Sequence, residues 1–165
     1  MGIHAIVTPQ EAADRLAIRE LIDDYAHCAD FRQPEAQADL FAPGARTLVF
    51  MGEPGEPAEV LTTREEHVEG FSALSQYAAT THFNGQFTIT LDTDGLGARG
   101  EGYCLAHHIL ETEGGQTLIV MSIRYEDRYS KLDGAWLFAE RRLVVTWTDT
   151  RQSQRSASSV SGPAV

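Results

Sequence analysis

The chain is poor in cysteine and in basic residues and has no long apolar run, and each scarcity removes a class of protein. Its 165 residues include two cysteines, Cys28 and Cys104, both inside regular-looking segments and without paired spacing. That excludes a disulfide framework, a thiolate zinc site and a dithiol redox motif, and both read as small buried hydrophobes. Thirteen lysines and arginines face twenty-four acids, a formal net charge of −11. With the bases scattered, neither nucleic acid nor an anionic membrane is an expected partner. No apolar stretch approaches a membrane span, and Met1 to Pro9 lack the basic start and apolar run of a signal peptide, so a cytoplasmic location is expected. There is no phosphate-cradling glycine loop, dinucleotide fingerprint or Ser/His/Asp series.

What is present is patterned. Thr8 can cap a helix opened by Pro9, and Ile18, Leu21, Ile22, Tyr25, Cys28 and Ala29 recur at helical spacing, predicting a helix over about 9–30. Pro34 starts a short second helix carrying Ala36, Leu40 and Phe41, and Pro43-Gly44 stops it before the strand-like 46–50. Thr63 and Glu66 form a capping box for a third helix with Val68, Phe71, Leu74 and Ala78 on one face. Four strands follow near 82–92, 98–111, 116–130 and 135–148, joined by short Gly-bearing turns, which predicts an antiparallel meander. Helices first and strands last argue for one α+β domain over 1–150, and the Ser-rich 151–165 reads as a flexible tail.

Strand parity sorts the faces. In the third long strand Ile119, Met121, Ile123, Tyr125 and Tyr129 share the buried side, opposite Leu118, Val120, Ser122, Arg124, Glu126 and Arg128. In the second, Ala98, Gly100, Gly102, Cys104, Ala106 and His108 share a face that another group can approach closely, and His107 points the other way. Adjacent in a strand, His107 and His108 cannot chelate one metal ion, and no metal site is expected. In the first long strand, strict alternation groups His82 with Asn84 and Gln86; a bulge at Gly85 would instead send it to the side of Phe87 and Ile89. Both alternatives stand. By helical periodicity Tyr25 is a core position and Asp30 is not, while His4, His27 and His67 read as exposed.

The pattern Ile-x-x-Leu-x-x-x-Tyr-x-x-x-x-Asp in helix one, Thr81-His82-Phe83-x-Gly85 at a strand start, the Ala-x-Gly strand and Asp133-Gly134-x-Trp136 before the last strand resemble the SnoaL-like branch of the NTF2-like superfamily. Within it the chain is most similar to the group of scytalone dehydratase, bile-acid 7α-dehydratase and hexachlorocyclohexane dehydrochlorinase. The resemblance implies an NTF2-like (cystatin-like) cone, with the N-terminal helices packed in a curved, mainly antiparallel sheet. It also implies a catalytic dyad of Asp30 and His82, with Tyr25 as a hydroxyl donor and His108, or His107 after a one-residue slip, as a second histidine. The basic residue that some relatives place near the end of the sheet falls on Lys131, Arg141 or Arg142.

Together these readings predict a lyase of dehydratase type, or an isomerase or cyclase, that needs no cofactor. Asp30 would fix the tautomer of His82, whose free nitrogen takes a proton from an apolar cyclic or polyketide-like substrate. Phe87, Cys104, Met121, Tyr125 and Trp147 are the expected substrate-binding residues. The competing reading is a silent ligand-binding or assembly domain, like the small subunit of ring-hydroxylating dioxygenases, whose cone would be filled by side chains. A homodimer or homotrimer is expected on the open sheet face, with Leu118, Val120, Trp136, Phe138 and Val144.

Overall fold

The capping signals hold to the residue. In the computed structural model, which describes residues 7–52, 55–113 and 115–153, Thr8 Oγ1 accepts from the Glu11 backbone N–H at 3.1 Å and Pro9 opens helix α1, Pro9–Asp30. Helix α2, Pro34–Ala38, is shorter than expected: Leu40 and Phe41 lie beyond it, and Phe41 begins strand β1, Phe41–Met51. Strand β2, Glu59–Leu61, leads to helix α3, Arg64–Ser72, entered through the reciprocal Thr63–Glu66 capping box and left through a 3₁₀ turn, Ala73–Gln76. The meander is β3, Ala79–Leu91; β4, Gly97–Thr112; β5, Gly115–Leu132; and β6, Ala135–Ser153. The first three residues of the expected tail, Arg151 to Ser153, are therefore strand; 154–165 lie outside the described residues, as does His4.

The fold is α+β and NTF2-like: one six-stranded sheet in the order β2-β1-β6-β5-β4-β3, antiparallel except where β1 runs parallel to β6. Register shifts at Phe41/Arg46, Asn84/Phe87, Ser122/Ile123 and Arg128/Tyr129 add residues on one strand of each pair. Such bulges bend the ladder and make it curl around the helices. Among the described residues no helix is long and apolar enough to cross a membrane.

Inside the curl, Ile18, Leu21, Ile22 and Tyr25 of α1 pack on Phe41, Tyr129, Trp136 and Phe138, and a second cluster joins Cys104, Ala106, Ile123, Tyr125 and Val145. Each large side chain buried there contributes roughly 1.5–3 kcal/mol of transfer free energy. The small residues of β4 let the rings in: a Cβ on Gly102 would overlap the Phe87 ring. Trp136 and Phe138, expected on the open face, belong to this core. The shift at Arg128/Tyr129 pairs Tyr129 with Phe138 and turns both inward, and Trp136 Nε1 donates to Asp14 Oδ1 at 2.9 Å.

Parity also placed a charge inside. Asp127 lies on the inward side of β5 between Tyr125 and Tyr129, and both of its oxygens receive Arg141 of β6, from Nε at 3.0 Å and Nη2 at 2.8 Å. Both side chains are fully buried. The guanidinium is wedged against the rings of Tyr25, Tyr125 and Phe138 at 4.0–4.2 Å, where cation–π attraction adds to the ion pair. Removing one partner strands the other charge. Asp127→Ala is accordingly expected to lower unfolding stability by about 3–5 kcal/mol; a urea midpoint equal to wild type would contradict this.

Candidate active site

The dyad is assembled by the way α1 ends. After Asp30 the chain reverses through Arg32 in the left-handed region (φ 57°), and the Gln33 N–H returns to Cys28 O at 2.9 Å, closing the helix. This stop leaves the last side chain of α1 facing β3. One Asp30 oxygen, Oδ2, accepts the His82 backbone N–H at 2.9 Å; the other, Oδ1, accepts His82 Nδ1 at 2.7 Å and the Thr80 hydroxyl at 2.9 Å. Thr80 in turn accepts from Arg32 Nη1 at 2.8 Å, and the same guanidinium caps the helix carbonyl of Ala29 at 2.7 Å. Arg32 thus orders the hydroxyl that orders the carboxylate.

Burial alone would raise the Asp30 pKa, but the hydrogen bonds from His82 and Thr80 outweigh it and hold the group below the ordinary carboxylate value of 3.8. An ionised carboxylate can only accept, so Nδ1 of His82 carries the proton and Nε2 is the free nitrogen.

The bulge decides where that nitrogen points. Across β3 and β4, His82 pairs with Ala106, Asn84 with Cys104, and Phe87 with Gly102, so His82 shares the inward face with Phe87. His82 lines a cavity of about 210 Å³ with Tyr25, Phe71, Met121, Ile123, Tyr125, Leu143, Val145 and, from the neighbouring strand, His108. The His82 side chain is 8% exposed. Of the two adjacent histidines His108 is the inward one, stacked on Tyr77 with ring centroids 4.5 Å apart and 5.6 Å from the His82 ring. Neither of its ring nitrogens has a partner among the described residues.

Burial, helped by the nearby His82 and Arg32, pushes the His108 pKa down to about 4, so it is neutral at pH 7. Burial raises the pKa of Tyr25, against the opposing influence of Arg141, so its hydroxyl keeps its proton. Around the cavity stand a carboxylate-bound imidazole, a neutral imidazole and a phenol. These groups can take a proton from carbon and steady a developing oxyanion.

The chain belongs to the SnoaL-like family. The model of the SnoaL-like domain matches residues 10–142. The fold is similar to that of a candidate scytalone dehydratase from Novosphingobium aromaticivorans, at 24% identity over 96% of this chain and 100% of that one, with TM-score 0.73. It is also similar to a type 2 hexachlorocyclohexane dehydrochlorinase, at 20% identity over 92% and 97% of the two chains, with TM-score 0.76. A candidate calcium/calmodulin-dependent protein kinase II association domain from Xanthomonas campestris shares the fold at 23% identity, covering 78% of this chain and 85% of that one, with TM-score 0.61. Among curated protein sequences none matches.

This SnoaL-like domain brings together Asp30, His82, Tyr25 and His108, and Met121 and Tyr125 line the cavity. Three other expectations need correction. Phe87 stands behind Tyr125, with ring centroids 6.4 Å apart, and Cys104 is buried beneath the cavity wall, its thiol pKa pushed up to about 11 by burial; neither lines the cavity. Trp147 is 53% exposed. The register shift after Ser122 makes Val145 the inward partner of Ile123 and leaves Trp147 beside Ser122 on the outer face.

His67, expected in solvent, is 2% exposed. The capping box turns the His67 and Phe71 side of α3 inward, and both ring nitrogens of His67 are satisfied, by Thr63 O at 2.7 Å and Thr47 Oγ1 at 3.0 Å. Of the three bases left open, Arg141 is the fully buried one; Lys131, paired with inward Trp136, is bound to Asp14 at 2.7 Å, and Arg142 reaches Glu126 at 3.2 Å on the outer face. Sequence reasoning missed Asp127, Gln37 and Thr47. A charge at inward parity between two tyrosines was the signal for the first.

Two inward histidines make stability depend on pH. His108 titrates near 4 in the fold against an ordinary 6.5, and burial also lowers His67. Between those values the unfolded chain binds more protons, so the stabilisation is complete above about pH 6.5 and is lost as pH falls toward 4. His108→Phe is expected to flatten the melting temperature over pH 4–6.5; an unchanged slope in that variant would contradict the assignment.

Proposed function

We propose that the chain is a lyase of dehydratase type acting by proton abstraction from a small apolar ring substrate. One observation carries the reading: the 2.7 Å contact of Asp30 with His82 inside a cavity that is otherwise mostly apolar. His82 Nε2 takes a proton from the carbon beside a carbonyl, and the electron pair moves to the carbonyl oxygen, where the Tyr25 hydroxyl donates to it. The leaving hydroxyl departs with the proton now on His82, while neutral His108 holds the group by a hydrogen bond. Isomerisation or ring closure would share the first of these steps. Acid–base groups of the chain suffice for all of them, so no cofactor enters the proposal. The unfilled cavity also favours an enzyme over an assembly domain, whose cone would be packed with side chains.

The test is turnover of a panel of cyclic β-hydroxy ketones, followed by the ultraviolet absorbance of the conjugated product. With an active panel member, His82→Ala is expected to lose roughly 10²–10⁴-fold in kcat/KM while keeping the wild-type circular dichroism, and Tyr25→Phe to lose less. Turnover by a folded His82→Ala variant equal to wild type would end the reading.

The proposal extends to assembly as a homodimer or homotrimer through the outer face. Phe83, Leu105, Ser122 and Trp147 pair in turn across four strands, and Tyr103 lies beside them. Phe83 is 66% exposed and Trp147 53%, an apolar row that water wets in the single chain. Sedimentation should give a dimer or trimer for wild type and a monomer for Leu105→Glu/Trp147→Glu. A monomeric wild type would refute it.

A further inference from the structure

The end of the cavity formed by α2 and β1 holds polar groups that the proposed chemistry does not use. Gln37 is 2% exposed and lines the cavity, yet its side-chain amide has no hydrogen-bond partner among the described residues. An amide that keeps a small opening and no side-chain partner can offer its donor and its acceptor to a polar guest.

Thr47 lines the same cavity, and its hydroxyl contacts His67 Nε2 at 3.0 Å. His67 Nδ1 faces the Thr63 carbonyl, which can only accept, so Nδ1 carries the proton of the neutral ring and Nε2 is bare. Thr47 must therefore donate to His67. With its proton committed to His67, the Thr47 oxygen can only accept from a guest.

We infer that Gln37 and Thr47 form an anchor that reads a hydroxyl group on the substrate, at a place separate from the dyad. The hydroxyl donates its proton to Thr47 and accepts from the Gln37 amide; a carbonyl or ether oxygen in its place leaves Thr47 unmet. No lysine or arginine is among the lining residues, which selects against carboxylates and phosphates. A cavity of about 150 Å³ takes up benzene; one of about 210 Å³ accepts a substituted ring or a two-ring compound. The substrate class is then a neutral, hydroxyl-bearing carbonyl compound of one or two rings. The inference rests on the reading of this cavity as the substrate chamber.

Binding separates it from the chemistry. Isothermal titration of 6-hydroxy-1-tetralone, 6-methoxy-1-tetralone and 1-tetralone against wild type should show the hydroxylated probe about tenfold tighter than the other two, the order of one hydrogen bond whose loss leaves a buried partner unpaired. Gln37→Leu/Thr47→Val should bring the three within about twofold, while Thr47→Ser, which keeps the hydroxyl, preserves the preference. His82→Ala should also keep it, so loss of turnover there with retained preference leaves the anchor standing. Equal affinities in wild type, no binding by any probe, or a preference that survives the double variant would overturn it.

Discussion

Two oxygens of one carboxylate fasten the end of a helix to the start of a strand. Asp30 accepts from the His82 backbone, the His82 ring and Thr80, so the contact that orients the imidazole also sets how α1 lies against β3. Charge-assisted hydrogen bonds of this kind are about twice as strong as neutral ones, and here three converge on one group. The helix end supplies a second constraint: the last carbonyls of α1 meet Arg32, whose guanidinium also reaches Thr80. Positioning of the dyad and termination of the helix are therefore one set of interactions.

The sheet contributes by being irregular. Each register shift exchanges the faces of the residues beyond it, and three of these exchanges bear on the site. One turns His82 inward beside Phe87, one brings Val145 in and puts Trp147 out, and one brings Tyr129 and Phe138 together behind the cavity. The buried Asp127–Arg141 pair supports the wall from behind, its guanidinium against Tyr25 and Tyr125. A charge pair in that place costs desolvation that an apolar pair would not, and in return it fixes two of the rings that face the cavity.

Much of this was legible in the residues. The N-cap at Thr8, the capping box at Thr63, the helical spacing of α1 and the Asp133-Gly134 turn, with both residues at positive φ, located most elements because local chemistry determines them. The small-residue face of β4 predicted close approach, and Phe87 sits over Gly102. What failed depended on nonlocal partners. Periodicity set Asp30 off the core stripe, where it lies half-buried, but could not see β3 arriving on that side; it placed His67 in solvent because Thr47 lies twenty residues earlier. Trp147 and Phe138 were misplaced by bulges, which one sequence does not count. The dyad itself was read from resemblance, and hydrogen-bond geometry supplies its physical content.

The account depends most on the tautomer that Asp30 imposes on His82. Nitrogen-15 long-range correlation spectra at pH 7.5 measure it directly: His82 should show a protonated Nδ1 and a bare Nε2 in wild type, and should lose that uniform state in Asp30→Ala. A His82 ring protonated at Nε2, or one whose tautomer is indifferent to Asp30, would contradict the account.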